Sequence, residues 1–116
     1  MKHIAYTDTV IVTEGRLADL VLEYAKVLAR TSSADTISIP YRGERGTIER
    51  MTMLVGPASQ LTSWGEEGGE SLGPEADEAA ADLQRRIRAR TPANVATETE
   101  AEEAIDDFDD VDRLGD

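Results

Sequence analysis

Arg16-Leu17-Ala18-Asp19-Leu20-Val21-Leu22-Glu23-Tyr24-Ala25-Lys26-Val27-Leu28-Ala29-Arg30 is the stretch on which the fold turns. Leu17, Leu20, Val21, Tyr24, Val27 and Leu28 recur at the i, i+3, i+4, i+7 spacing that lines up on one side of an α-helix. Arg16, Asp19, Glu23, Lys26 and Arg30 fall between them and supply a solvated side. The spacing predicts a helix over 16–30 whose apolar stripe covers a core, with Leu22 off that stripe as the residue that marks an outward contact. Thr13 is expected as its N-cap, Glu14 lies at the positive end of its dipole, and Lys26 and Arg30 lie towards the negative end. Thr31, Ser32 and Ser33 stop it.

On either side of this helix the apolar runs have the period of strands. Lys2, His3, Ile4, Ala5 and Tyr6, and then Thr9, Val10, Ile11, Val12 and Thr13, are rich in β-branched and aromatic residues and are separated by the tight turn Thr7-Asp8, which lacks a glycine. After the helix, Ile37, Ile39 and Tyr41 alternate with Ser38 and Pro40. Because proline cannot donate to a ladder, this strand belongs at an edge or has its amide side free. Gly43-Glu44-Arg45-Gly46 reads as a hairpin loop. It leads into a strand over 47–55 with Met51, Met53 and Val55 towards the helix and Ile48, Arg50, Thr52 and Leu54 away from it. Gly56-Pro57-Ala58-Ser59 turns the chain, and 60–64 makes a last short strand carrying Leu61 and Trp64. The expected fold class is α+β, a small antiparallel sheet in the chain order β-β-α-β-β-β with one helix packed on one face. Such a sheet leaves its other face uncovered, and self-association through that face, where Ile48 and Leu54 lie, is expected.

The chain has 116 residues and a net charge of −12, and the charge is unevenly placed. Residues 1–65 carry seven acids and seven bases, whereas 66–116 carry 17 acids and five arginines. Large apolar residues run the other way, 23 before position 66 and eight after it, too few to offset the ordering of an acidic tail. The expected organisation is a folded unit at 1–65, a Gly/Glu linker at 66–73, an amphipathic helix at 74–91 and a disordered acidic tail at 92–116. Pro74 suits the first position of that second helix. Ala76, Ala80, Leu83 and Ile87 give it a thin stripe that docks weakly, and Arg85, Arg86, Arg88 and Arg90 complement its C-terminal dipole. The sequence contains no cysteine, so it offers neither a disulfide nor a thiolate. No run of about 18 apolar residues is present to span a membrane, and the first residues are too short in apolar character for a signal peptide. A cytoplasmic location is expected.

Ala25-Lys26 followed by Arg30, Arg45-Gly46-Thr47, and Gly56-Pro57-Ala58-Ser59-Gln60-Leu61 resemble the motifs of a family of short actinobacterial proteins, over roughly 4–64. In that family a histidine stands where this chain has Gly56. Some members are labelled ATP-dependent DNA ligases, so the resemblance implies, as one alternative, an enzyme that takes up adenylate on a lysine. The two lysines here are Lys2, followed by His3-Ile4-Ala5, and Lys26, followed by Val27-Leu28-Ala29; neither stands in a Lys-x-Asp-Gly setting.

The remaining chemistry is sparse. His3 is the one histidine, which excludes a His-rich metal site or a triad and makes it an ordinary strand residue. Neither a Gly-x-Ser-x-Gly elbow nor a phosphate loop can be written on the glycines. The acidic run at 106–112 ends too early for a calcium loop. The arginines of the second helix are set among acids without interleaved aromatics, so nucleic acid is an unlikely partner and an accessory role on it ranks third. Ile105, Phe108 and Val111, three apart among acids and followed by Leu114, have the pattern of a peptide that folds against a groove. Arg42, Arg45, Arg50 and Trp64 are expected to gather around one hairpin. The sequence therefore points to a small non-enzymatic protein without cofactor or metal, an interaction or accessory module whose partner is another protein or a second copy of itself.

Overall fold

A computed structural model describes residues 1–91. Along the chain run β1 (Lys2–Tyr6), β2 (Thr9–Thr13), α1 (Gly15–Arg30), β3 (Asp35–Arg42), β4 (Ile48–Val55), β5 (Leu61–Gly65) and α2 (Pro74–Ala89). The strands form one antiparallel sheet in the order β4-β3-β2-β1-β5. This is the α+β architecture that the alternation of the apolar residues predicts. Among the described residues no helix is long and apolar enough to cross a membrane.

The stripe of α1 does what its spacing requires. Leu17, Ala18, Val21, Tyr24, Val27 and Leu28 are buried, whereas Arg16, Asp19, Glu23, Lys26 and Arg30 face solvent. Leu22 is half-buried. The N-terminus differs from expectation, because Glu14 and not Thr13 is the N-cap, with no side-chain cap bond. Thr13 is the last residue of β2, fully buried, and its hydroxyl donates to the Pro40 carbonyl at 2.8 Å. A carbonyl inside the core needs that donor more than a half-solvated helix end does. The Glu14 carboxylate instead accepts from the Leu72 amide at 2.6 Å and from Arg16 at 2.7 Å. At the far end Ser32 takes a left-handed φ of 53° and turns the chain towards β3.

The edges of the sheet are arranged otherwise than by successive hairpins. β4 and β5 are consecutive in the chain but lie on opposite edges, so the five residues 56–60 cross the end of the sheet. In a flat sheet β4 and β1 stand three strand spacings apart, roughly 14 Å. The Tyr6 hydroxyl nevertheless donates to the Leu54 carbonyl at 2.5 Å, so the sheet curls until β4 approaches β1. Pro40 is not on an edge strand. Its amide side is free all the same, because β3 is laddered to β2 only where Val12 meets Arg42.

Along the rest of that border, side chains replace the ladder. The carbonyls of Thr36, Ser38 and Pro40 point away from β4 and accept from Arg86 of α2 at 3.1 Å, Arg50 of β4 at 3.2 Å and Thr13 of β2 at 2.8 Å. Each acceptor that a neighbouring strand would have satisfied is met by a different element.

The core extends past Gly65. Ile4, Ile11, Ile37, Ile39, Met53 and Val55 of the sheet and the stripe of α1 form one cluster with Leu72, Ala76, Ala79, Ala80 and Leu83. The helix expected to dock weakly is a full member of the core, running beside α1 and β3. Segment 66–73 is likewise tied down. The Met1 ammonium donates to the carbonyls of Glu66 (3.0 Å) and Gly68, and Lys2 pairs with Glu67 at 3.0 Å. Gly65 makes this closure possible, with φ at +127° and a hypothetical Cβ only 2.8 Å from the Met1 carbonyl oxygen.

Candidate functional site

The pairing of the strands places one row of side chains across the whole uncovered face. Trp64 of β5 stands opposite His3 of β1, His3 opposite Val12 of β2, Val12 opposite Arg42 of β3, and Arg42 opposite Ile48 of β4. Residues directly opposite in a ladder share a face, so this row runs from edge to edge on the side away from Ile4 and Ile11. A second row places Thr62, Ala5 and Val10 side by side, and Leu54 lies at the end of β4 on the same side. The His3 and Trp64 rings stack with centroids 5.0 Å apart and planes 3° from parallel. Stacking at that distance holds the two rings parallel.

The outward strand positions of this face include exposed apolar residues. Val10 is 54% accessible, Ile48 49%, Leu54 58% and Trp64 46%; these are the exposed large hydrophobic residues of the described chain, and all four lie on it. Its outward sheet positions carry no carboxylate, although the whole chain has twice as many acids as bases. Its charges are Arg42, bound to Glu70 at 2.8 Å, and Arg50, bound to Ser38 and, at 3.4 Å, to Glu75. Exposed pairs of this kind contribute little and exchange readily. Where β3 parts from β2, a groove of about 630 Å³ opens. Val10, Val12 and Arg42 of the outward phase line it together with Ile11, Tyr41, Glu49 and Met51 of the helix-side phase and with Glu44 and Arg45 of the hairpin. Arg45, at the hairpin tip, is exposed and has no ion-pair partner among the described residues.

A second polar cluster, between α1, β3 and α2, is saturated. The Tyr24 hydroxyl donates to Asp35 at 2.6 Å, Arg86 donates to the same oxygen at 2.8 Å, and Arg90 donates to the Tyr24 oxygen at 2.9 Å with its guanidinium over the ring. The hydrogen bond from Tyr24, outweighing burial and helped by Arg86, holds the Asp35 carboxyl below its ordinary range, while burial and the Asp35 charge push the Tyr24 phenol up. With these contacts made, the cluster clamps α2 to the sheet. That accounts for Arg86 and Arg90. Arg85 pairs with Asp82 at 2.8 Å on the same helix.

The lysines do not offer a nucleophile. Lys2 lies 2.8 Å from Asp19 and 3.0 Å from Glu67, and the hydrogen bond to Asp19 above all raises its pKa, so it stays an ammonium. Lys26 stands exposed on α1, 3.4 Å from Glu23. Among the described residues no three His, Asp or Glu side chains converge as a metal site would need.

Of the residues singled out in the sequence, Arg42, Arg45 and Arg50 do share the β3–β4 hairpin. Trp64 does not join them, since β5 is on the opposite edge of the sheet. It stacks instead on His3, a half-buried residue of β1. Ile105, Phe108, Val111 and Leu114 lie outside the described residues. The reading of the sequence overlooked Val10 and Val12. Their signal was the second phase of β2, in which both outward positions are valine and neither is polar. Compared with protein-family models, curated proteins and solved structures, the chain matches none of them. Arg45-Gly46-Thr47 is the hairpin tip and Gly56-Pro57 is in the crossing between β4 and β5, and they line two separate clefts.

Proposed function

We propose that this protein is a non-catalytic interaction module and that the uncovered sheet face is where it meets a protein partner. The observation that supports this reading is that Val10, Ile48, Leu54 and Trp64, the exposed large hydrophobic residues of the described chain, all lie on one side of the sheet. Apolar residues scattered singly over a surface carry no meaning, but these are confined to one side of a single sheet, the side that no helix covers. The groove between β2 and the hairpin borders that face, with Val10, Val12 and Arg42 on the outward side of its lining. Arg42 and Arg45 beside it suit recognition of carboxylates.

Partner capture from cell lysate tests the reading. Ile48→Asp and Trp64→Ser, both at exposed positions, are expected to abolish retention of the proteins that the parent chain retains. Glu23→Gln, on the solvated side of α1, is expected to leave them in place. An unchanged set of captured proteins with both face variants refutes the proposal.

A further inference from the structure

We propose that two copies of this chain associate edge to edge through β4, in an antiparallel pairing centred on Met51 that continues one sheet into the other. The pairing uses the backbone of an edge strand, leaves the uncovered face open and does not rest on the reading of that face.

β4 is an edge of the sheet, and with eight residues it is as long as β3, the strand it is laddered to. The direction of its own backbone groups follows from β3. The carbonyls of Thr36, Ser38 and Pro40 point away from β4, so the ladder bonds run through Ile37 and Ile39, which stand opposite Met53 and Met51. The N–H and C=O groups of Arg50, Thr52 and Leu54 therefore face outwards. The Leu54 carbonyl has this phase, since it accepts from the Tyr6 hydroxyl and not from β3. Arg50 and Thr52 are exposed, and among the described residues nothing bonds their backbone on that edge.

Long edges are commonly protected by a proline or by charged side chains that stand in the way of a further strand. β4 has no proline, and both of its charged side chains turn back onto their own chain. Arg50 lies across β3, donating to the Ser38 carbonyl at 3.2 Å and pairing with Glu75 at 3.4 Å. Glu49 accepts from the Thr47 hydroxyl at 3.1 Å and the Tyr41 hydroxyl at 3.3 Å. One acid and one base also leave the strand neutral in a chain of net charge −12, so this edge meets a copy of itself without the repulsion that other surfaces would bring.

Two-fold symmetry sets the edge against itself, and the side chains choose the register. A centre at Arg50 opposes the two guanidinium groups. A centre at Thr52 places Leu54 opposite Arg50 and leaves Ile48 opposite Gly56. A centre at Met51 places Ile48, 49% exposed, opposite Leu54, 58% exposed, and Arg50 opposite Thr52. Apolar residues directly opposite stabilise a ladder, and Arg50 and Thr52 then exchange both backbone bonds on each side of the axis. The ladder ends at Leu54, whose carbonyl already serves Tyr6.

The sequence contains no cysteine, so a single introduced thiol reports this register. Met51 meets itself as a non-hydrogen-bonded pair with Cα atoms about 4.5 Å apart, within disulfide range, whereas the two copies of Thr52 stand about 7 to 8 Å apart. Full-length Met51→Cys is expected to give a disulfide-linked dimer on mild oxidation, and Thr52→Cys little. In sedimentation, the parent chain is expected to rise with concentration from the 12.6 kDa of one copy to twice that mass. Thr52→Pro removes an N–H that β3 does not use, and is expected to raise the dimer Kd about ten-fold or more while keeping the dichroism of the fold. A parent chain that stays monomeric at about 0.5 mM, where even weak pairings form, overturns the inference. A dimer that Thr52→Pro leaves intact, or one that cross-links through Thr52→Cys in preference to Met51→Cys, overturns it as well.

Discussion

Leu83→Ala decides whether α2 is part of the body of the protein or an appendage. Leu83 is 2% exposed and lies in the same cluster as Leu17, Val21 and Ile39. The substitution removes three carbons, worth about 0.8 kcal/mol each in transfer free energy, or about 2.4 kcal/mol. The cavity left behind adds to this within the range of about 2 to 5 kcal/mol seen for buried leucines. With a urea dependence of about 1 to 1.5 kcal/mol/M for a small domain, even the low end moves the unfolding midpoint down by more than about 1 M. Trp64 fluorescence is the appropriate probe, because Trp64 is on β5 and Leu83 on α2, and a shift at one caused by the other requires a single cooperative unit. Helix content followed by far-ultraviolet dichroism is expected to fall in the same transition. A Trp64 midpoint that stays put while helix signal is lost early would refute the reasoning and return α2 to the status of a loosely attached element.

Thr7→Gly is expected to raise stability by about 1 kcal/mol in a thermal or urea melt, because Thr7 holds φ at 54°, a conformation that costs a β-branched residue and not a glycine. Gly65→Ala is expected to lower the melting temperature. Its φ of +127° and the Met1 backbone 2.8 Å away leave no room for a methyl group without breaking the closure of 66–69 on the N-terminus. Acid should destabilise the fold through Asp35 and Glu14. The Tyr24 hydrogen bond lowers the Asp35 pKa, and for Glu14 the Leu72 amide and Arg16 outweigh the opposing effect of burial, so both folded values lie below the unfolded ones. The stability these groups contribute is thus complete above the ordinary carboxylate pKa of about 4 and is lost as pH falls through the folded values. Urea midpoints should hold from about pH 7 to about pH 5 and drop below about pH 4, with a shallower drop in Asp35→Asn; equal drops in both chains would discard the role of Asp35.

Every strand was legible in the sequence to within a residue, because alternation of Ile37, Ile39 and Tyr41, or of Met51, Met53 and Val55, leaves little choice when one face must be dry. What resisted reading were features in which distant residues decide. The boundary at Gly65 followed from counting large apolar side chains, and α2 enters the core mainly with alanines. These bury little area each but let two helices approach closely, so Ala76, Ala79 and Ala80 carry a packing role that a count of large side chains overlooks. Leu72 was hidden among glycines and glutamates for a similar reason, since nothing local says that Glu14 will fix its amide. The place of β5 beside β1 was unreadable because a turn of Gly56-Pro57-Ala58-Ser59 fits a hairpin as well as a crossing. For the candidate site, the arginines of the hairpin and the apolar Ile48 and Leu54 were visible. The row joining them to Trp64 needed the strand order.

The three carbonyls along the inner border of β3 carry one more consequence. A strand whose acceptors are met by an arginine of α2, an arginine of β4 and a threonine of β2 is shielded by side chains that can swing away, not by another backbone. Should α2 detach, the Thr36 acceptor loses its donor, and the freed border becomes a template for strands of other molecules. Misassembly of this protein would then start at Asp35–Arg42, and the helix expected to dock weakly would be its guard against aggregation.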